Sequence, residues 1–232
     1  MADALVLTSH DRIADVGCGT GLYTRRILDR VRPTVPILCV DPSEAMLSQL
    51  PADPALRPIH ASAEQLAKGT GGHSGQQGPA IPRGSLDAIA IKEAIHHVAT
   101  DDRPPVIAGL ADLLGPDGRL LIVMLPTRIA YPLFDAAIRR FEELQPDPED
   151  IAAHMRAAGL TVSLGYRDFP LEIPKDRYLG MVRNRYMSLL AMFDDDEIRD
   201  GVAEIDARHS EPVFSFPDRF AFVLGTRRGA VT

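Results

Sequence analysis

The chain has 232 residues, enough for one α/β domain with a sizeable core, and 45% hydrophobic and 25% charged content is ordinary for a globular protein. A formal charge of −7, with basic residues scattered as local pairs, argues against a broad nucleic-acid footprint, which needs a basic stripe. Two cysteines fit a reducing compartment rather than a disulfide framework, and with neither a basic-then-apolar leader nor an apolar run of about 20 residues the expectation is a cytoplasmic protein without a membrane partner.

Ile13 to Val16 reads as a short strand, followed by glycines at 17, 19 and 21 and a helix from Tyr23 to Arg32 that Pro33 and Pro36 end. Glycines at this spacing let the backbone turn sharply and approach a ligand without a side chain between. A dinucleotide turn, G-x-G-x-x-G, needs its third glycine at position 22, which is Leu22. Asp15, an acid near the end of a buried strand, suits an ammonium better than a pyrophosphate. A ligand with an amino-acid end therefore fits better than a dinucleotide.

Val35 to Val40 is the second strand, and Asp41 ends it, 20 residues after Gly21. In an open α/β sheet this places its carboxylate beside the glycine turn, where it can accept from both hydroxyls of a ribose; the alternative is a cap for the helix opening at Pro42-Ser43-Glu44. Met46, on that helix, reads either as a neighbour of the bound ligand or as core. Leu56 to Ala61 is a third strand, leading into Ser62-Ala63-Glu64-Gln65-Leu66. Residues 69–84 hold six glycines and almost no apolar anchor, which predicts a mobile loop with His73 as a solvated loop histidine.

Leu86 to Ile91 is the fourth strand, and Lys92-Glu93-Ala94-Ile95-His96-His97 at its carboxyl end is where ligands bind in doubly wound sheets. His96 and His97 are candidates for proton transfer, with orienting or packing roles as the alternative; no third ligand at metal-binding spacing accompanies them. A helix from Pro105 to Leu114, a turn at Gly115-Pro116-Asp117-Gly118 and a fifth strand from Arg119 to Leu125 follow.

The segment Asp15 to Gly21 resembles the first motif, D/E-x-G-x-G-x-G, of class I S-adenosylmethionine-dependent methyltransferases, with Asp15, Gly17, Gly19 and Gly21 matching and Cys18 within the turn. Residues 62–66 resemble the family's D-A-E-x-L stretch, with Ser62 in place of the aspartate that holds the adenine amino group, and Leu-L-x-P-x-G before the fifth strand is similar too. The resemblance covers most of residues 12–125. It implies a doubly wound, mostly parallel, seven-stranded Rossmann-like α/β sheet whose last strand is antiparallel. It also implies S-adenosylmethionine as cofactor, released as S-adenosylhomocysteine, with Asp15, Gly17, Cys18, Gly19, Gly21, Asp41, Pro42, Ser62, Ala63 and Lys92 around it.

Beyond the fifth strand, Thr127, Arg128 and Tyr131 are expected at the ligand edge, Tyr131 orienting a substrate, serving as base or opening a helix from Phe134 to Leu144. A helix from Pro148 to Ala158 stops at Gly159, and strands follow at Thr161 to Phe169 and Phe220 to Gly225. Members acting on small molecules usually carry helices before the first strand as a cover; only twelve residues stand there in this sequence. The helical insertion at residues 171–216 is the expected substitute, a lid over a small-molecule acceptor.

In the insertion Tyr178, Met181, Val182, Arg185, Tyr186, Leu189 and Phe193 follow the spacing of one helix face. Arg185 interrupts this stripe and requires an anionic partner, either internal, such as Glu93 or Asp135, or an anionic substrate. Arg128, Arg185 and Tyr186 are the substrate-side candidates. The expected reaction is methyl transfer to a small molecule at a hydroxyl or carboxylate oxygen; the alternatives are cofactor binding without methyl transfer and a macromolecular acceptor.

Overall fold

The structure, a computed structural model, describes residues 1–69 and 81–229; most of the loop predicted at 69–84, His73 included, lies outside the described residues. The chain groups into two compact units, residues 1–124, 148–165 and 221–232, and residues 125–147 and 166–220.

The first unit holds the sheet. Its strands β1 (Ile13–Val16), β2 (Ile37–Asp41), β3 (Leu56–His60), β4 (Leu86–Lys92), β5 (Leu114–Met124), β6 (Leu160–Pro174) and β7 (Val213–Arg227) run in the order β3-β2-β1-β4-β5-β7-β6. β1 pairs in parallel with β2 and β4, β2 with β3 and β4 with β5, while β7 is antiparallel to β5. This is the expected doubly wound sheet. β1 is buried at every position and β4 at all but two, because both are covered on both faces; hence they read as apolar runs rather than alternations. Strand order reverses between β1 and β4, and the carboxyl ends there open the crevice where such sheets bind ligands.

The helices α1 (Leu22–Val31), α2 (Glu44–Leu47), α3 (Ala63–Ala67) and α4 (Arg103–Leu113) fall close to their predicted places. The turn predicted at 115–118 is an irregularity inside β5: Leu114 pairs with Leu86 and Arg119 with Ala88, so β5 uses several extra residues over this stretch. Asp117 there has φ 60°.

The second unit is built from α5 (Asp135–Leu144), α7 (Lys175–Arg183) and α8 (Asp195–Arg208), with the outer parts of β6 and β7; α6 (Pro148–Ala157) belongs to the first unit. Its own core includes Leu125, Phe134, Phe141, Tyr178, Val182, Ile198, Val202 and Phe214. Packing is close where Gly201 of α8 meets Phe134: a Cβ on Gly201 would lie 2.4 Å from the ring. β6 and β7 are each 15 residues long, so the predicted insertion begins and ends in strand.

The single helix face predicted from Tyr178 to Phe193 is corrected by the structure. α7 ends at Arg183, Arg185 takes φ 51°, and a short 3₁₀ segment, Ser188–Met192, follows. The apolar spacing persisted across a break because Leu189 and Leu190 are buried from the 3₁₀ segment instead.

Candidate functional site

The glycine turn joins β1 to α1 in the first unit. Gly17, Gly19 and Gly21 have φ values of 74°, 55° and 79°, which L side chains rarely adopt. The amides of Gly17 and Cys18 both donate to the carbonyl of Val40, at 2.8 and 3.1 Å, and Gly21 donates to the carbonyl of Cys18 at 3.0 Å. Packing demands a glycine at position 17, where a Cβ would lie 2.4 Å from Ala94 Cβ; one on Gly21 would lie 2.4 Å from Leu50 Cδ2, the movable end of a side chain, so there the φ of 79° is the stronger reason. At Gly19 a Cβ would meet nothing within 4 Å. The turn is thus fixed by its flanks and open at its middle glycine.

Asp41 closes the turn from the side. Its Oδ2 accepts the Gly19 amide at 2.8 Å and its Oδ1 accepts the Ser43 amide at 2.8 Å. It is not the cap of α2; Ser43 fills that position, accepting from the Met46 amide at 3.3 Å. Each carboxylate oxygen retains acceptor capacity for a hydroxyl, and Asp41 is only 8% exposed.

Asp15 sits lower, 2% exposed, and accepts the hydroxyl of Thr24 from α1. Burial raises its carboxyl to about 6, with the Asp41 charge adding to the rise and Thr24 opposing it. The Cys18 thiol is pushed up by Cys39 and by burial, which disfavours its thiolate form.

The remaining cofactor-side candidates have local roles of their own. His60 Nε2 lies 2.9 Å from the Pro42 carbonyl. Ser62 and Gln65 form a reciprocal capping box on α3, the Ser62 hydroxyl accepting from the Gln65 amide at 3.2 Å, and Ala63 opens the helix. The Ser62 signal was in the sequence, as S-x-x-Q before an apolar run. Lys92 Nζ lies 4.4 Å from the Tyr23 ring centroid. Met46 is 43% exposed, not core.

At the end of β4, Glu93 takes φ 53° and its amide donates to Val123 at 2.9 Å. A left-handed, non-glycine residue at the ligand edge of the sheet is a feature the sequence does not announce. The rings of His96 and His97 stand 4.1 Å apart in a one-turn 3₁₀ segment, Ile95–His97. Burial pushes His96 down to about 4, helped by His97 and Arg103, so it is neutral at pH 7; His97 is exposed. Among the described residues no group of three or more His, Cys, Asp or Glu is placed to hold a metal.

In the second unit, Arg185 is 29% exposed at its side chain and donates to Asp195 Oδ1 at 2.7 Å and to the Phe193 carbonyl at 3.2 Å. Its anionic partner is internal, and it is Asp195 rather than Glu93 or Asp135; Asp135 pairs with Arg208 at 2.8 Å. The break after α7 turns Arg185 toward the start of α8, which a straight helix would not have done. A cavity of about 430 Å³ between α7 and α8 is lined by Arg183, Arg185, Arg199, Asp195, Ile198 and neighbours, with Arg199 matched to Asp196 and Asp200. Arg128 is 88% exposed and reaches Glu142 only at 4.0 Å.

Tyr131 donates its hydroxyl to Asp218, and the hydroxyls of Tyr178 and Tyr186 stand 3.1 Å apart. Burial raises both phenols of that pair, Tyr186 to about 12 with the Asp218 charge contributing. Asp218 was not legible beforehand: it lies 87 residues from Tyr131 in the chain.

The family described as a methyltransferase domain matches residues 14–120. Uncharacterized methyltransferases of Mycobacterium tuberculosis and Mycobacterium bovis are 27% identical over 128 residues; the match covers 55% of this chain and 57% of theirs, so the chain is matched over about half the length of these relatives. Among solved structures, a protein of Anabaena variabilis assigned as a methyltransferase of an antibiotic biosynthesis pathway superposes with a TM-score of 0.68 at 17% identity, over 95% of this chain and 93% of that one. A phosphoethanolamine N-methyltransferase of Haemonchus contortus, bound to phosphomonomethylethanolamine and S-adenosylhomocysteine, gives 0.58 at 15% identity, over 96% and 50%. The [4+2]-cyclase SpnF gives 0.61 at 15%, over 99% and 78%. No helix among the described residues is long and apolar enough to cross a membrane.

Proposed function

We propose that this chain, whose residues 14–120 match a methyltransferase domain and whose glycine turn resembles that of class I S-adenosylmethionine-dependent methyltransferases, transfers a methyl group from S-adenosylmethionine to an oxygen of a small molecule, a hydroxyl or a carboxylate. The observation that carries the reading is the pairing of Gly19, open above its Cα, with Asp41, whose carboxylate is anchored by two backbone amides beside it. A fixed acid next to a bare stretch of backbone suits a ribose diol and the chain attached to it.

S-adenosylmethionine supplies a methyl on a positive sulfur, and the acceptor oxygen forms its bond to that carbon as the carbon–sulfur bond breaks and sulfur keeps the pair. The protein's task is then to align, exclude water and, for a hydroxyl acceptor, take up one proton. His96, held neutral, suits an orienting hydrogen bond; His97 is the candidate to carry the proton. Tyr131 is committed to Asp218 as a donor and fits an orienting role. Asp15 supports the turn from beneath through Thr24 and biases it toward a cationic ligand end. Among the second-unit candidates, Arg128 is free enough to meet an anionic acceptor, whereas Arg185 already has Asp195.

Calorimetric titration with S-adenosylhomocysteine tests the cofactor half. One-to-one binding that NADH does not displace is expected; NADH binding with no S-adenosylhomocysteine binding removes the proposal. The likeness to a [4+2]-cyclase favours one second reading, a protein that binds the cofactor as a scaffold for other chemistry.

A further inference from the structure

We infer that the second unit carries a binding site for an ammonium group, formed by Asp218 with Tyr131, Tyr178 and Tyr186. Asp218 is partly buried in β7, and its Oδ1 accepts the Tyr131 hydroxyl. Among the described residues no lysine, arginine or histidine pairs with it. Its neighbour Arg219 turns instead to Asp168 at 3.6 Å and to the Tyr166 ring at 5.1 Å. Three further cations of the unit have acidic partners of their own: Arg185 with Asp195, Arg208 with Asp135 and Glu204, and Lys175 with Asp206.

A partly buried carboxylate whose hydrogen-bonding partner is a neutral phenol keeps its negative charge available to a cationic ligand. The groups around it are aromatic. The Tyr131 ring lies 5.3 Å from Phe216, and Tyr178 packs against Phe214, Phe216 and Tyr186 at 5.1, 5.7 and 5.9 Å. Phenol rings present negative faces, so they add attraction for a cation and none for an anion. A carboxylate or phosphate ligand would meet like charge at Asp218. An amine or quaternary ammonium completes the charge balance and covers the rings with its methyl or methylene groups. Tyr178 is 1% exposed and forms the floor; Tyr186, at 36%, forms an accessible wall.

The inference rests on the proposed methyl transfer only in identifying the ammonium compound as the acceptor; the site itself is testable without turnover. The ligand class is a small molecule bearing a protonated or quaternary amine, anchored by that group and methylated elsewhere on the molecule.

The chain has five tyrosines and no tryptophan, so tyrosine fluorescence reads this cluster, which holds three of the five. The probe is choline, compared with 3,3-dimethyl-1-butanol, which has the same shape with carbon in place of the charged nitrogen, at constant ionic strength. A saturable change with choline is expected, with the alcohol at least about tenfold weaker and Asp218→Asn weakening choline by about tenfold or more. Equal response to both probes, no response to choline, or wild-type affinity in Asp218→Asn overturns the site. Should Asp218→Asn fail to fold by circular dichroism, Tyr131→Phe decides: it leaves the carboxylate and removes its phenol, so charge discrimination must persist, and its loss overturns the proposal. S-adenosylhomocysteine binding measured on the same samples separates the two readings, since intact cofactor binding without charge discrimination removes the ammonium site alone, and the reverse result removes methyl transfer alone.

Discussion

The amide of Gly19 donates to Oδ2 of Asp41 across 2.8 Å, adding a charge-assisted bond to the two backbone bonds by which Gly17 and Cys18 already join the turn after β1 to the end of β2. The second oxygen of Asp41 takes the Ser43 amide, so its orientation is set before any ligand arrives. The proposed cofactor site depends on this preorganised pair.

Replacing Asp41 with Ala removes both acceptors and leaves two backbone amides without their partner. Hydrogen bonds to a charged group are worth about 1.5–3 kcal/mol each. S-adenosylhomocysteine affinity is expected to fall by roughly 10- to 100-fold in calorimetry, with a lowered melting temperature. Asp41→Asn, which keeps one acceptor oxygen, is expected to fall between.

The glycines separate stability from binding. Gly17→Ala puts a Cβ 2.4 Å from Ala94 and keeps a left-handed backbone, so an overpacking cost of about 1–3 kcal/mol adds to the αL cost of about 1–2 kcal/mol. Gly19→Ala carries only the backbone cost, because its Cβ meets nothing within 4 Å. Urea denaturation is expected to show Gly17→Ala as the less stable variant. Gly19→Ala is expected to fold yet lose cofactor affinity, since its methyl enters the space assigned to the ligand; unchanged affinity would put the ligand elsewhere.

Asp15 and His96 shift stability in opposite directions over neighbouring pH ranges. The Asp15 carboxyl, at about 6 in the folded chain against 3.8, holds a proton that the unfolded chain has already lost, so its contribution is full below about 4 and is lost as pH rises toward 6. His96, lowered from 6.5 to about 4, is protonated first in the unfolded chain, so stability falls as pH drops from 6.5 toward 4. The two partly cancel in the wild type. Asp15→Asn keeps an acceptor for Thr24 and is expected to gain stability at pH 7 relative to pH 4, on the order of 2–3 kcal/mol, in denaturation curves across this range. His96→Gln is expected to remove the acid-side loss. Its lowered value also predicts that no activity limb between pH 5.5 and 8 belongs to His96.

Arg185 and Asp195 form a pair whose acid is 94% exposed, and such a pair is worth about 0–1 kcal/mol. Asp195→Asn is therefore expected to change the melting temperature little. Arg185→Met also removes the bond to the Phe193 carbonyl and is expected to destabilise more, by about 1–2 kcal/mol, while leaving KM for the acceptor unchanged. A KM raised tenfold by Arg185→Met with normal stability would assign the arginine to the substrate.

The first five strands and the glycine turn were legible because each signal is local: β1 and β4 are mostly apolar runs, each broken by one aspartate, and the turn glycines stand in a fixed spacing that backbone geometry demands. The order of strands beyond the fifth came from the resemblance, not from periodicity. What periodicity misread was the stretch after Arg183, where apolar residues at helical spacing continue across a left-handed Arg185 into a 3₁₀ segment. A count of apolar positions does not see one backbone angle. The partners of Arg185 and Tyr131 are not legible in the sequence either, since Asp195 meets Arg185 across a break in the helix ten residues on and Asp218 is paired with Tyr131 across 87 residues. Ser62 is read from the resemblance only as the replacement for the adenine-holding aspartate, and the structure adds that it caps α3.

The central claim is methyl transfer to a small molecule, and the most direct test is to incubate the purified protein with S-adenosylmethionine carrying a deuterated methyl group in a host-cell extract and to analyse small and large fractions by mass spectrometry. Label is expected in a small molecule, as a deuterated methyl ether or ester, dependent on Asp41. Label confined to protein or nucleic acid, or cofactor binding with no labelled product in an extract supplemented with candidate acceptors, would contradict it.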